Sequence, residues 1–195
     1  FFAAAGFVYY YQFSPLLLLY VLMGNFCGWY YSAPPMRFSH RLYGNIIFAL
    51  TICILVPGFG NYIASGTITS DMWIFSIPLL FYGYAFTIGV QIPDINADRI
   101  NKKNNYASTF GEKASYRAIA VLCILATLAI YAIPYLLSRD LNFMAILIFS
   151  FFPLSASIFG LAVKRLDAEK RIMAIISSIF LFTALCDAYL TLSYV

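Results

Sequence analysis

The chain has 195 residues, of which 63% are hydrophobic and only 10% are charged, and its formal net charge is +4. A soluble domain carries roughly 25% charged residues, so this composition excludes a soluble protein and predicts an integral membrane protein. The apolar runs are continuous and do not alternate with polar residues, as the strands of a transmembrane barrel would. The expected fold class is therefore all-α, a polytopic bundle of transmembrane helices.

Seven apolar runs follow one another along the chain. We expect them to form membrane spans at 1–12, which is partial, and then at 15–31, 45–64, 72–93, 116–137, 141–162 and 172–194. Each complete run meets the roughly 17–25 residues that a helix needs to cross the hydrocarbon core. Residues 1–195 are therefore predicted to form a single transmembrane domain, whose first helix lacks its beginning.

Basic residues are concentrated in three connections, at 32–44, 94–115 and 163–171. Together with Arg117, these connections contain eleven of the twelve Lys and Arg residues, and Arg139 alone falls on the opposite side. The asymmetry follows the positive-inside rule, so we expect the basic connections to face the cytoplasm of a plasma membrane or its equivalent. The net charge therefore gives no sign of nucleic-acid binding. For 163–171 we expect a solvated face, with contact to anionic lipid as the alternative.

The longest polar interval, residues 91–113, contains two carboxylates four residues apart, Asp94 and Asp98. On a helix this spacing places both on one face, one turn apart. Because Mg²⁺ is commonly held by one or two carboxylates together with substrate phosphates, the pair suits a Mg²⁺-bound diphosphate. Arg99 and Lys103 would then neutralise phosphate oxygens as the diphosphate leaves.

Two other interpretations of the acid pair remain. The acids can simply cap a helix or balance the neighbouring lysines. A transporter or channel could also use them to bind cations, although transporter sites usually lie near mid-bilayer and these acids lie at a loop edge.

A second motif, Tyr-Ser-Ala-Pro-Pro-Met-Arg, runs from Tyr31 to Arg37. Two adjacent prolines stiffen this loop and fix where Arg37 points. Arg37 is a candidate for binding a phosphate, and Tyr31 for a hydrogen bond or ring contact near the reacting carbon. The alternative is a rigid connector whose arginine sets the orientation in the bilayer.

Together these motifs resemble the UbiA superfamily of intramembrane prenyltransferases. The resemblance rests on the sequence YSAPPMR, on IPDINADR two spans later, and on Gly111, thirteen residues after Asp98. It extends over essentially the whole chain in span count, loop sidedness and motif order. It implies Mg²⁺-dependent transfer of a prenyl group from a polyprenyl diphosphate to an aromatic or lipid acceptor, in quinone, chlorophyll or carotenoid biosynthesis.

The resemblance also implies roles for individual residues. Asp94 and Asp98 match the family's second aspartate motif and would be the metal ligands. The matching residues around them would be catalytic or would bind the diphosphate: Arg99, Lys103, Tyr31 and Arg37. Besides the two substrates, membrane lipids are the expected partners, and nothing in the sequence indicates the oligomeric state.

The sequence departs from the family at several places. Lys102 stands where the family often has glycine, and Asn105 where it often has threonine. The family's first aspartate-rich motif, NDxxDxxxD, does not occur in the chain, which has about seven spans where the family usually has nine. The chain therefore corresponds either to spans three to nine of an enzyme or to a non-catalytic homologue or partner subunit that keeps only the lipid-binding bundle.

Overall fold

The computed structural model describes residues 2–136, 143–163 and 167–193. These residues are largely helical, and no β-strand occurs among them. Arg139 and its connection, as well as Lys164 and Arg165 of the third basic connection, lie outside the described residues.

All seven predicted runs form helices. The first four long elements are α1 (Phe2–Tyr10), α2 (Leu16–Ser32), a composite helix over Gly44–Ser65, and α5 (Ser70–Gln91). The composite helix consists of α3 (Gly44–Leu50), a π-helical segment (Thr51–Leu55) and α4 (Val56–Ser65). The last three are α8 (Glu112–Leu136), α9 (Phe143–Ala162) and α10 (Ala168–Ser193).

The observed helix ends lie within four residues of the predicted ones. Five helices in the described part are long and apolar enough to cross a membrane, beginning with the composite helix, and α2 is a shorter apolar helix. The all-α polytopic bundle is thereby confirmed. Two short helices, α6 (Ile95–Ile100) and α7 (Tyr106–Phe110), occupy the polar interval between α5 and α8.

Four helices form the core of the bundle. Helix α5 packs against α8, α8 against α9, α9 against α10, and α10 returns to α5. Their shared interior consists mainly of isoleucines and small residues, such as Ala85, Ile88, Ile119, Ala126 and Ile175. Small residues let membrane helices approach closely, which substitutes for the hydrophobic effect that is missing in lipid. Helix α3 packs against α5, and α2 packs against the composite helix.

The π-helical segment Thr51–Leu55 ends two residues before Pro57. Proline has no N–H, and its ring clashes with the carbonyl four residues earlier, which here belongs to Cys53. Regular α-helical bonding therefore cannot continue through this turn. Membrane helices commonly resolve such conflicts by local π adjustment, which also widens the turn.

Two side-chain amides join α3 to α5. Asn45 Nδ2 donates to Gln91 Oε1 at 3.2 Å, and Gln91 Nε2 donates to Asn45 Oδ1 at 2.7 Å. Asn45 is buried, so these bonds replace the hydration that its amide loses. The pair fixes α3 against α5 directly beside the two polar connections that carry the motifs.

Replacing Gln91 with leucine should lower the thermal stability of the purified full-length protein. The change leaves the buried Asn45 amide without a partner, which costs about 1–3 kcal/mol. The double variant Asn45→Leu/Gln91→Leu removes both polar groups and should lose less than the sum of the two single variants. Additive losses in this double-mutant cycle would show that the amides do not interact. Asn25→Leu is the control, because Asn25 Nδ2 donates only within its own helix, to Val21 O.

Candidate active site

The described parts of the three basic connections lie at one end of the bundle. The Asn104 N–H donates to the His40 carbonyl at 2.9 Å, which joins the second connection to the first. The Arg171 side chain pairs with Glu112, which joins the beginning of α10 to the beginning of α8. We call this end, which carries residues 33–43 and 92–111 and the beginnings of α8 and α10, the basic end.

Asp94 and Asp98 lie one helical turn apart, as their spacing predicts. Asp94 precedes α6 as its N-cap residue, and the Asp98 N–H donates to the Asp94 carbonyl at 2.8 Å. Their environments differ. The Asp94 side chain is exposed and makes no hydrogen bond or ion pair among the described residues, whereas Asp98 is only 5% exposed.

The Asp98 carboxylate is held by two neighbours within the same loop. Lys103 Nζ lies 2.8 Å from Asp98 Oδ1, and Asn105 Nδ2 donates to Asp98 Oδ2 at 2.6 Å. Asn105 is fixed in turn, because its Oδ1 accepts the Ser108 N–H at 2.9 Å and so caps α7. A cation and an amide therefore hold one acid in a defined orientation, while the other acid is exposed and has no partner among the described residues.

Arg99 and Gly111 close the loop on its other side. Arg99 is exposed, and its Nε donates to the Ser108 carbonyl at 2.9 Å. Gly111 has φ +82°, a backbone conformation that favours glycine. Lys102 also has positive φ, at 53°, a backbone conformation that residues other than glycine rarely adopt.

The structure brings Tyr31 near the loop that contains Asp94 and Asp98, residues 92–111, which we call the acid loop. No described contact joins the Arg37 side chain to this loop. Tyr31 is half-buried, its ring centroid lies 5.7 Å from that of Phe48, and its phenol is within electrostatic reach of the Lys103 ammonium. Arg37 has φ +43°, and its exposed side chain forms no hydrogen bond or ion pair with any residue that the structure describes.

The acid pair fits a Mg²⁺ ion that also binds phosphate. Two Asp98 oxygens are engaged, but an ionised carboxylate offers about four lone-pair sites, so acceptor capacity remains. One helical turn from Asp98, Asp94 adds an exposed carboxylate that has no partner among the described residues. Among the described residues no cluster of three or more His, Cys, Asp or Glu could form a cage around a metal. A site of this kind suits Mg²⁺ with one or two protein carboxylates, waters and substrate phosphates.

A row of aromatic rings leads from Tyr31 across the half-buried Phe48 and Phe86 to Phe180, which is exposed. The Tyr31 and Phe48 rings are followed by Phe86, 6.3 Å from Phe48, and by Phe180, 5.7 Å from Phe86. The row thus crosses α2, α3, α5 and α10. Aromatic faces attract cations, so the row offers a surface on which a carbocation can be stabilised without a nucleophile.

An apolar cavity of about 480 Å³ lies between α2, the composite helix and the beginning of α5. Its walls include Leu19, Met23, Ile47, Ile54 and Met72. The volume is in the range of small-molecule sites. Neither acid and none of the candidate basic residues lines this cavity.

Sequence reasoning missed two features of this end of the molecule. The first is the role of Asn105, although Asn is one of the residues that helix N-caps prefer. The second is Arg171, for which the expectation of a solvated face is wrong, because this residue is only 8% exposed. A run of charges does not show which member is buried, since burial depends on contacts with α8 and α9.

Comparison with known proteins identifies the family. The model of the UbiA prenyltransferase family matches residues 1–183. Two relatives, both described as lycopene elongase/hydratase of Corynebacterium glutamicum, are 28% identical to the chain over 104 residues. The matched part covers 53% of this chain and 36% of each relative, so the chain spans little more than a third of their length. No solved structure matches the chain. Because the family model covers nearly all of its residues, the chain belongs to the UbiA prenyltransferase family.

Proposed function

We propose that the full-length protein is a Mg²⁺-dependent intramembrane prenyltransferase that acts on a polyprenyl diphosphate and a lipophilic acceptor of the carotenoid type. Family membership supports the reaction class, and the relatives described as lycopene elongase/hydratase support the acceptor class. The observation that carries the proposal is the exposed Asp94 carboxylate beside the oriented Asp98–Lys103 pair. The basic end would face the cytoplasm, where Mg²⁺ and diphosphates are available.

In this proposal the residues at the basic end bind the diphosphate. Asp94 and Asp98 would hold Mg²⁺, which supplies neutralisation of phosphate charge and so promotes departure of the diphosphate. Lys103 and Arg99 would exchange their present partners for phosphate oxygens. The unpaired Arg37 guanidinium would approach from the first connection, and bidentate contact with phosphate is the geometry that guanidinium favours.

The aromatic row would stabilise the positive charge that develops on the reacting allylic carbon. The bond between the allylic carbon and the diphosphate oxygen breaks, and its electron pair leaves with the diphosphate. The π electrons of the acceptor attack the resulting allylic cation, forming a carbon–carbon bond, and a proton leaves the product cation for water. Until then the rings of Tyr31, Phe48 and Phe86 would stabilise the cation by cation–π attraction. The prenyl chain would extend among the apolar helices.

One observation favours a second candidate, a non-catalytic homologue or partner subunit that keeps the lipid-binding bundle. Both Asp98 oxygens already have partners within the loop, so this acid also has a structural use. Under this candidate the acids stabilise the loop and bind no substrate.

A transfer assay separates these candidates. Full-length protein in lipid nanodiscs is incubated with radiolabelled dimethylallyl or geranylgeranyl diphosphate, and with either lycopene or 4-hydroxybenzoate as acceptor. We expect label in a lycopene product with Mg²⁺ present and none in EDTA. Transfer to 4-hydroxybenzoate alone would overturn the acceptor class. Absence of transfer from either donor to either acceptor, in protein that remains folded, would support the non-catalytic candidate.

A further inference from the structure

A second polar cavity opens at the basic end, between the beginnings of α8 and α10 and the end of α9. Its volume is about 690 Å³, and it is lined by Glu112, Lys113, Tyr116, Arg117, Leu161 and Arg171. None of the residues assigned to prenyl transfer lines it. The cavity therefore needs its own explanation.

Arg171 forms the inner wall of this cavity. Its Nη2 pairs with a Glu112 carboxylate oxygen, and its Nη1 donates to the Gly160 carbonyl at 3.2 Å. The guanidinium carbon lies 4.4 Å from the centroid of the Tyr116 ring, and the Tyr116 hydroxyl donates to the Ala168 carbonyl at 3.0 Å. Arg171 Nε is buried and has no acceptor among the described residues. The wall is thus a rigid, buried cation with one unfilled donor.

The outer wall adds positive charge. Lys113 and Arg117 are four residues apart on α8, so they lie on one helix face, and both are exposed. Neither forms an ion pair with an acid in the described ranges. Together with Arg171, these two residues give the cavity lining three cations and one carboxylate, that of Glu112. The cavity also lies at the N-terminus of α8, which is the positive end of the helix dipole. The site therefore favours an anion, and Leu161 and Tyr116 add apolar surface beside it.

We propose that this cavity binds the phosphate of an anionic membrane phospholipid. The basic end of a membrane-spanning bundle lies at headgroup level, and basic pockets between transmembrane helices bind such headgroups. Lys113 and Arg117 would contact the phosphate, and Arg171 would complete the charge at the base of the cavity. The combination of polar base and apolar wall suits a headgroup with the start of its acyl chains. A free phosphate offers the same charge, so the experiment distinguishes the two sources.

The test removes the two outer cations. The variant Lys113→Gln/Arg117→Gln is compared with Lys102→Gln/Lys170→Gln, which removes the same charge from exposed lysines outside the cavity. Full-length protein in detergent is titrated with phosphatidylglycerol or phosphatidylcholine, and bound lipid is counted by native mass spectrometry. We expect wild type and control to retain phosphatidylglycerol preferentially. The cavity variant should bind it roughly 10- to 30-fold more weakly, as expected for two cations near an anionic surface.

Three outcomes would overturn the proposal. Equal loss in both double variants would mean a diffuse electrostatic attraction to this face. Equal binding of phosphatidylcholine would mean that the cavity does not select charge. If inorganic phosphate or pyrophosphate in lipid-free micelles stabilised wild type but not the cavity variant, and phosphatidylglycerol did not, the ligand would be a free anion. The readout involves no prenyl transfer, so it stands or fails independently of the proposed function.

Discussion

Replacing Asp94 with asparagine is expected to reduce prenyl transfer by at least about a hundredfold without changing thermal stability. Loss of a single group that stabilises charge in the transition state typically costs two to three orders of magnitude in rate. The fold should not respond, because the Asp94 side chain is exposed and makes no cap bond or ion pair among the described residues. Asparagine is also as good an N-cap residue as aspartate. Transfer rate and melting temperature are measured on the same preparation.

Glu169→Gln is the matched control for Asp94→Asn. It removes one exposed carboxylate from the same end of the bundle, outside both cavities and the acid loop. It should retain full activity. If Asp94→Asn kept wild-type transfer and the same dependence on Mg²⁺ concentration, Asp94 would not be a metal ligand.

Replacing Asp98 with asparagine is expected to lower both activity and stability. This carboxylate is buried, pairs with Lys103 and accepts a hydrogen bond from Asn105. Asparagine is neutral, so the ion pair with Lys103 is lost. Its amide N–H group would also turn toward either the Lys103 ammonium or the Asn105 amide, and both of these are donors. Hydrogen bonds to charged groups contribute about 1.5–3 kcal/mol, and the partial exposure of Lys103 reduces the part due to the ion pair. Transfer should fall at least as far as in Asp94→Asn, accompanied by a lower melting temperature.

Asn105→Thr is the conservative control for Asp98→Asn. A threonine hydroxyl can both donate to the carboxylate and cap α7, so this variant should retain most stability and activity. If Asp98→Asn lost stability but kept full transfer, the carboxylate would be structural only, and the non-catalytic candidate would gain support for this acid.

The contrast between Asp94 and Asp98 shows how much of the site can be predicted from the sequence. Spacing alone predicts that the two acids lie one helical turn apart, and the backbone bond between them agrees. Spacing does not predict that one is exposed and the other buried. That difference arises because the chain turns back after α6 and brings Lys103 and Asn105 onto Asp98.

Arg171 and the Asn45–Gln91 pair lie away from the two acids, and their side-chain partners likewise cannot be predicted from the sequence. In the sequence Arg171 is one of several charges in a basic connection, and the amides are isolated polar residues at span ends. Asn45 and Gln91 are 46 residues apart in the chain, and Arg171 and Glu112 are 59 residues apart. No local sequence pattern therefore reveals these pairs. The packing of α3 on α5 and the side-chain contacts between the beginnings of α10 and α8 decide which polar groups meet.

By itself, the sequence determined the membrane class, the approximate limits of the seven apolar helices, and the motifs of a prenyltransferase. Those properties follow from hydrophobic run length and from local spacing, which depend on neighbouring residues only. The tertiary structure decided which connections share an end, which acid is buried and paired and which is exposed, and where a buried arginine lines a second polar cavity. Those properties depend on contacts between helices far apart in the chain, because burial and pairing in a bundle are set by which faces pack together.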